Sequence, residues 1–412
     1  MRSSNKIIST FTVIVFLLCC NSQAVLAQTF NLKDFGAVGD GKTDNLQAFQ
    51  RCAKELVKKG GTLIIPYGVY YTSSTIHINY IDGNNLIIKG EKNSQGKSPQ
   101  IKSSALLDVF FINGYYTNPQ GSVRIENVAV IGNNQPYSSK HPFYNRPAFQ
   151  TAFRIVDKSS VYIHNCEVSN VYGNGFYIGS SDTQGTPLNK RMQYCEMVGN
   201  TIHNTWGAHL SSGSAMNDDY GDGIYITNVS KGLIKNNQVI NDLAQTKQFG
   251  RSGIVLEYDT ENILVEDNTI SGYDRNIHIE LAIGNHTIRN NRLTGSDYGI
   301  CVWNACKKGL KPSQIIGNYI SNEHIPSGLQ LKTIRHQSER SLIYIGQDGN
   351  CNAATAINNN QLFITKQSGI VSKRGLYVPA SVKVQQNQFK SQGLGFFSRP
   401  QNRIGKEVKS FQ

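Results

Sequence analysis

Three acidic residues, Asp222, Glu257 and Glu280, stand beside successive copies of a Gly-apolar-x-apolar unit, and their spacing suits chemistry on a glycosidic bond. The copies begin at Gly223, Gly253, Gly299 and Gly328, with Asn276 opening an equivalent Asn276-Ile277-His278-Ile279 unit. Stacked on one another, they put Thr227, Glu257, Glu280, Trp303 and Lys332 in one outward column. A second outward column holds Tyr225, Val255, His278, Cys301 and Gln330. The position before the glycine holds Asp222, Ser252, Arg275, Tyr298 and Ser327. Parallel strands stack about 4.8 Å apart, so Glu257 and Glu280 become neighbours, and two carboxylates that close cannot both ionise freely. A protonated and an ionised carboxyl are what glycoside hydrolysis needs, about 5 Å apart for retention and roughly 6.5–9.5 Å apart for inversion. Asp222, one coil from Glu257, offers the wider spacing. Trp303 offers a flat apolar face for a sugar ring, and His278, Arg275, Lys332 and Tyr225 complete a polar substrate-binding surface.

Two other readings use the same residues. Glu257 and Glu280, with Asp222 or Asp259, could hold Ca²⁺. That would fit a polysaccharide lyase with Lys332, Arg335 or His278 as the base. Alternatively the acids simply pair with Arg275 and Lys332 on a solvated face, and the protein binds carbohydrate without turning it over. No cofactor other than Ca²⁺ is called for, and the hydrolytic reading needs none. In the run Asp218-Asp219-Tyr220-Gly221-Asp222, Asp218 reads as a turn residue and Asp222 as the functional acid.

The elements that must position these residues are legible from a repeat. Asn-x-apolar recurs at Asn200, Asn237, Asn268, Asn291, Asn318, Asn360 and Asn387, with Cys166 in the same register. Short strands with alternate residues inward, an asparagine at a fixed turn and loops of variable length describe a solenoid. The fold expected is all-β, a right-handed parallel β-helix. A helix after Thr43 or Asp44, carrying Leu46, Phe49, Ala53, Leu56 and Val57 on one face and ending at Gly60-Gly61, would cap its open end. Residues 28–390 then form one domain, with 30–76 as cap module and first coil and 391–412 as a tail.

Arg2 and Lys6, the apolar run from Ile7 to Leu18 and Val25-Leu26-Ala27 read as a secretory signal peptide over 1–27, too short in its apolar part for a membrane span. The chain is expected to be exported to the periplasm or the extracellular space. Acylation at Cys19 or Cys20 is a minor alternative. The 412 residues carry a formal charge of +13, which favours an anionic partner. With no nucleic-acid module in the sequence, an acidic polysaccharide is the partner expected. Cys52, Cys166, Cys195, Cys301, Cys306 and Cys351 lack the paired spacing of a zinc site. Cys301 and Cys306 are close enough in sequence for a disulfide, and Cys166 reads as a buried core residue.

Asp34-Phe35-Gly36-Ala37-Val38-Gly39-Asp40-Gly41-Lys42-Thr43-Asp44, Gly60-Gly61-Thr62 and Pro66-Tyr67-Gly68 closely resemble the opening of the pectate-lyase-like β-helix proteins. That module also begins polygalacturonase-related enzymes, phage tailspikes and alginate epimerase modules. Gly221-Asp222-Gly223 resembles the polygalacturonase segment that carries a catalytic aspartate, which implies that role for Asp222. Gly328-Leu329-Gln330-Leu331-Lys332-Thr333 resembles that family's basic substrate-binding segment, which implies that role for Lys332. The family's paired-aspartate segment is replaced here by Ser252-Gly253-Ile254-Val255-Leu256-Glu257, and its Gly-His-Gly segment is missing. Where the epimerases carry Asp-Pro-His-Glu, this chain reads Tyr177-Ile178-Gly179-Ser180.

Overall fold

Strands with alternating apolar residues can bury one face only by closing on themselves or on a neighbour, and this chain does so by coiling. The computed structural model describes residues 28–79, 83–105, 107–133, 150–182, 185–207, 221–303, 312–326, 341–346, 355–365, 374–378, 382–391 and 409–410. Every strand pairing among them is parallel, and each strand pairs with the equivalent strand one coil away. Three ribbons result. Sheet A runs from Thr29–Asn31 to Lys383–Gln385, sheet B from Asp40–Asp44 to Lys409–Ser410, and sheet C from Ile76–Asn79 to Arg374–Tyr377. The expected parallel β-helix is the architecture found.

One aliphatic cluster fills the axis from Leu32 to Phe389. Near its start, Phe110, Phe153 and Phe176 stack at 5.2 and 5.5 Å between centroids. The helix Leu46–Lys59 closes this end, burying Phe49, Ala53 and Leu56, with Leu46 and Val57 partly covered. Phe49 meets Phe110 edge-on at 6.0 Å, so the cap seats on the first rung of the aromatic stack. Asp44 accepts from Leu46 N at 3.0 Å, although the cap position falls on Asn45 and not on Thr43 or Asp44 as expected. The helix starts one residue later, because the Asn45 side chain bonds Val38, Thr43 and Tyr71 instead. Gly61 sits at φ 120°, and a Cβ there would lie 2.1 Å from Gln28 O, so the pair ending the helix has to be glycine at its second position.

Between sheets A and B the coils from Asn127 on each turn on one residue in the left-handed region. Asn127, Asn165, Gly199, Asn236, Asp267, Asn290, Gly317, Asn359 and Gln386 all have φ between 52 and 68°. From Gly199 on, the next residue is the repeating asparagine. From Asn200 to Asn387, each Asn Nδ2 donates to the Oδ1 of the asparagine one coil on, every one of these bonds measuring 2.9 Å. Its second proton goes to a main-chain carbonyl of the preceding coil, such as Ile234 O for Asn268. Each Oδ1 also accepts the main-chain N–H of the asparagine before it. These amides are 0–1% exposed and fully bonded, as buried polar groups must be. Cys166 occupies the register, its N–H bonded to Asn200 Oδ1 at 2.9 Å.

Candidate functional site

The outer wall of sheet C carries the acidic residues in the register expected. Thr227 pairs with Glu257, Glu257 with Glu280 and Glu280 with Trp303, while Tyr225, Val255, His278 and Cys301 follow in the adjacent column. Ile254, Leu256, Ile277 and Ile279 between them point into the core. The glycines that open these units bring sheet C close to sheet B. A Cβ at Gly223 would stand 2.2 Å from Val239 Cγ1, and at Gly299 2.1 Å from Ile320 Cγ2. Asn276 replaces the glycine by turning its amide to Thr294 O and Ser296 Oγ, at 2.9 and 3.0 Å.

Facing outward does not leave these groups open to solvent. Asp222 is 2%, Glu257 7% and His278 1% exposed, whereas the Glu280 side chain keeps 20%. Glu257 stands against the phenols of Tyr225 and Tyr258. Burial first, and then the charge of Glu257, push the Tyr225 phenol well above its ordinary value and the Tyr258 phenol up to about 12. His278 Nε2 lies 3.5 Å from Glu280 Oε2, and Arg275 Nη1 donates to Nδ1 at 3.3 Å. Burial, then the nearby Arg275 and Arg251 guanidinium groups, hold His278 well below the ordinary histidine value. The ring is therefore neutral with its proton on Nε2, directed at Glu280.

The remaining expected site residues are held by their neighbours. Arg251 grips Asp222 through two bonds of 2.9 and 2.8 Å, a bidentate pair that fixes a carboxylate as an anion. Arg275 bonds Asp274 at 3.0 Å and lies 4.4 Å over the Trp303 ring, so one face of that indole is already covered. His278 meets its edge at 4.9 Å. Tyr225 stacks on Tyr177 at 4.8 Å. Asp259 binds Gly185 N and, at 2.9 Å, Thr186 N, and so anchors a loop. Among the described residues no group of three or more His, Cys, Asp or Glu side chains converges as a metal requires. Glu257 and Glu280 alone fall short of the six to eight oxygens Ca²⁺ takes. Lys332 and Arg335, together with Gln330, Asp218, Cys306 and Cys351 and the leader at 1–27, lie outside the described residues.

A pattern that sequence reasoning missed organises this wall. Asp108–Arg154–Tyr177, Asp222–Arg251–Tyr225 and Asp274–Arg275–Trp303 each set an aspartate-held guanidinium over an aromatic ring, at 4.4, 5.7 and 4.4 Å. A second missed feature is backbone strain. After the last sheet C residue of several coils the chain enters the left-handed region, and Asp157 and Asn228 fill that position at φ 59 and 53°. Behind Glu257 and Glu280 the occupants are Tyr258, at φ 40°, and Leu281, at φ 54°. Bulky residues rarely adopt that conformation, and such outliers collect at functional sites. Above the strip Tyr298, Cys301 and Tyr344 form a separate apolar cluster outside the core, with Trp303 and Tyr377 packed on it. The carboxylates thus sit between two aromatic walls.

The sequence profile of a family described as a right handed beta helix region matches residues 113–325 and 222–402. A second, described as rhamnogalacturonase A/epimerase, pectate lyase-like, matches 29–129. The tail spike protein of Shigella phage Sf6 is 32% identical over 111 residues, which cover 26% of this chain and 17% of the tail spike. The matched part is thus about a sixth of that relative. The family 28 exopolygalacturonase of Yersinia enterocolitica is similar in fold, with a TM-score of 0.52 at 14% identity over 89% of this chain and 72% of that one. So is the mannuronan C-5 epimerase AlgE6 A-module of Azotobacter vinelandii, at 0.50 and 16% over 93% and 99%.

Proposed function

The chain belongs to the right handed beta helix family, and from that premise we propose that it is an exported glycoside hydrolase that cuts an acidic polysaccharide with Glu257 and Glu280. The observation that carries this reading is the pairing of the two glutamates on adjacent coils, on the outer wall of sheet C and between aromatic walls. Glu280, the more accessible of the two, works as base or nucleophile, with His278 Nε2 3.5 Å from its carboxylate. Glu257, set among the Tyr225 and Tyr258 phenols, delivers the proton to the departing glycosidic oxygen. Asp222 and Arg251 do not take part in proton transfer. Their bidentate pair holds Tyr225 and the neighbouring coil in place. The exposed edge of Trp303 borders the sugar, while Arg275 and His278 position Trp303 and Glu280 from behind.

The acidic class of the substrate is supported by the formal charge of +13 and by three guanidinium groups set along the same wall, two of them on adjacent coils. The basic, apolar leader of residues 1–27 supports export, and no helix among the described residues is long and apolar enough to cross a membrane. The test is incubation of purified protein with a panel of uronate and neutral polysaccharides. Hydrolysis releases reducing ends that do not absorb in the ultraviolet. A 4,5-unsaturated product absorbing there would replace the hydrolase reading with that of a lyase. Binding without any cleavage would leave a carbohydrate-binding β-helix.

A further inference from the structure

We propose that the outer face of sheet B at the last coils is a second, non-catalytic glycan site that holds a short stretch of acidic polysaccharide. It rests on the proposed function only in taking the same class of polymer as ligand. None of its residues belongs to the wall of sheet C. The site is a groove of about 580 Å³ lined by Tyr319, Gln361, Phe363, Gln388 and Lys390, with Leu362 and Phe389 beneath. That volume lies within the range of roughly 300–1,000 Å³ typical of small-ligand sites. Register builds it. Tyr319, Gln361 and Gln388 form one outward column over three coils, and Phe363 and Lys390 form the next.

These residue types depart from the rest of the face. In the preceding coils the same two columns hold Glu167, Thr201, Gln238, Thr269 and Arg292, and Ser169, His203, Ile240, Ser271 and Thr294. No phenyl or phenol ring occurs in that stretch. Rings then arrive together at Tyr319 and Phe363, diagonal neighbours on adjacent coils. The Tyr319 ring is fixed in advance: Arg292 covers one face at 4.4 Å, and its hydroxyl donates to Glu323 Oε1 at 2.9 Å. Fixing a binding surface beforehand lowers the entropy lost on binding. Gln361 and Gln388 are exposed and stacked. Each amide presents an acceptor beside two donors, which matches neighbouring sugar hydroxyls, while the rings match the C–H face of a pyranose. Lys390 is exposed, lies 5.8 Å from the Phe363 centroid and supplies a cation for a uronate carboxyl. A protein partner would need about 800 Å² of complementary surface on this side, more than two rings among amides provide, and a nucleic acid would need a row of cations along its phosphates. Holding the polymer here keeps other segments of it near the sheet C strip by effective concentration.

The test is calorimetric titration of the full chain with hexagalacturonate and with a neutral galacto-hexaose. It compares wild type, the groove variant Gln361→Ala/Gln388→Ala and the strip variant Glu257→Gln/Glu280→Gln. The groove residues are exposed, so that variant folds as wild type does, which far-ultraviolet circular dichroism checks. The expected result is a binding event that persists in the strip variant and weakens about tenfold in the groove variant. Lys390→Gln should weaken hexagalacturonate and leave the neutral probe unchanged. Titrations of the groove variant indistinguishable from wild type, or no binding in the strip variant, overturn the second site. Equal loss for both probes in Lys390→Gln overturns its acidic specificity. Turnover by the groove variant on short oligosaccharides is expected to match wild type, which separates failure here from failure of the carboxylate pair.

Discussion

The asparagine ladder and the sheet C strip are both columns of polar residues repeated coil after coil, yet they are built on opposite plans. In the ladder every rung is the same residue, and each amide finds all its partners in the rungs above and below. The strip does not repeat one residue type: it runs from Thr227 through the pair Glu257 and Glu280 to Trp303. It also contains groups the ladder never shows: buried His278 Nε2 and Ser252 Oγ without a hydrogen bond, and bulky residues in left-handed turns behind both glutamates. A column that completes its own bonding is a spine. A column that leaves bonding incomplete and carries strain has been shaped by something other than stability.

The contrast can be broken most forcefully at the ladder. Asn268→Asp replaces the donor facing Asn291 Oδ1 and Ile234 O with a second acceptor and buries a charge. Its expected cost is about 3 kcal/mol or more, read as a fall in denaturant midpoint. Activity per folded molecule should stay unchanged, because the ladder lies on the far side of the core from the strip. A variant as stable as wild type would show that the ladder is not the spine.

Protonation should sharpen the same comparison, since the ladder amides do not titrate. His278 and His286 are both buried with depressed values, His286 down to about 3 by burial alone. Below about pH 6.5 the unfolded chain binds protons that the folded chain refuses. The stability these neutral rings confer is therefore complete above that pH and is lost as the pH falls toward 3. Each ring contributes on the order of 1 kcal/mol per pH unit across that window. Urea midpoints from pH 7 to 4 should decline accordingly, and His286→Gln should flatten the slope. A flat wild-type profile would mean that the two rings are not held neutral.

The smallest effect expected runs opposite in sign. Tyr258→Asn puts a turn-tolerant residue where φ is 40° and should stabilise the chain by roughly 1 kcal/mol, while lowering kcat through loss of the phenol beside Glu257. A thermal midpoint that falls, or turnover that holds, would remove the functional reading of that strain.

The register of the strip was legible in the sequence because strand alternation and the recurring Gly and Asn landmarks leave little freedom in alignment. The positions of Glu257 over Thr227 and of Glu280 under Trp303 follow from that parity alone. Parity names a face but not what covers it, so the near-complete burial of Asp222, Glu257 and His278 could not be read in advance. Arg251 escaped notice because it stands outside the aligned columns and reaches back one coil to Asp222, and Asp274 escaped for a similar reason. Tyr258 and Leu281 gave no signal, since neither residue type announces a left-handed turn. The residues that precede the ladder rungs share a left-handed φ, and all but Gln386 are Asn, Gly or Asp, a regularity that the Asn-x-apolar pattern left out.

The most direct test is the kinetic cycle of Glu257→Gln, Glu280→Gln and the double variant on the polysaccharide that the wild type cleaves, with thermal midpoints recorded alongside. If the two carboxyls act as one acid and base unit, each single change lowers kcat by about a thousandfold or more. The double variant is then little worse than either single one, and all three melt near wild type. Single variants that keep most of the wild-type turnover, or losses that simply multiply in the double variant, would contradict the pair.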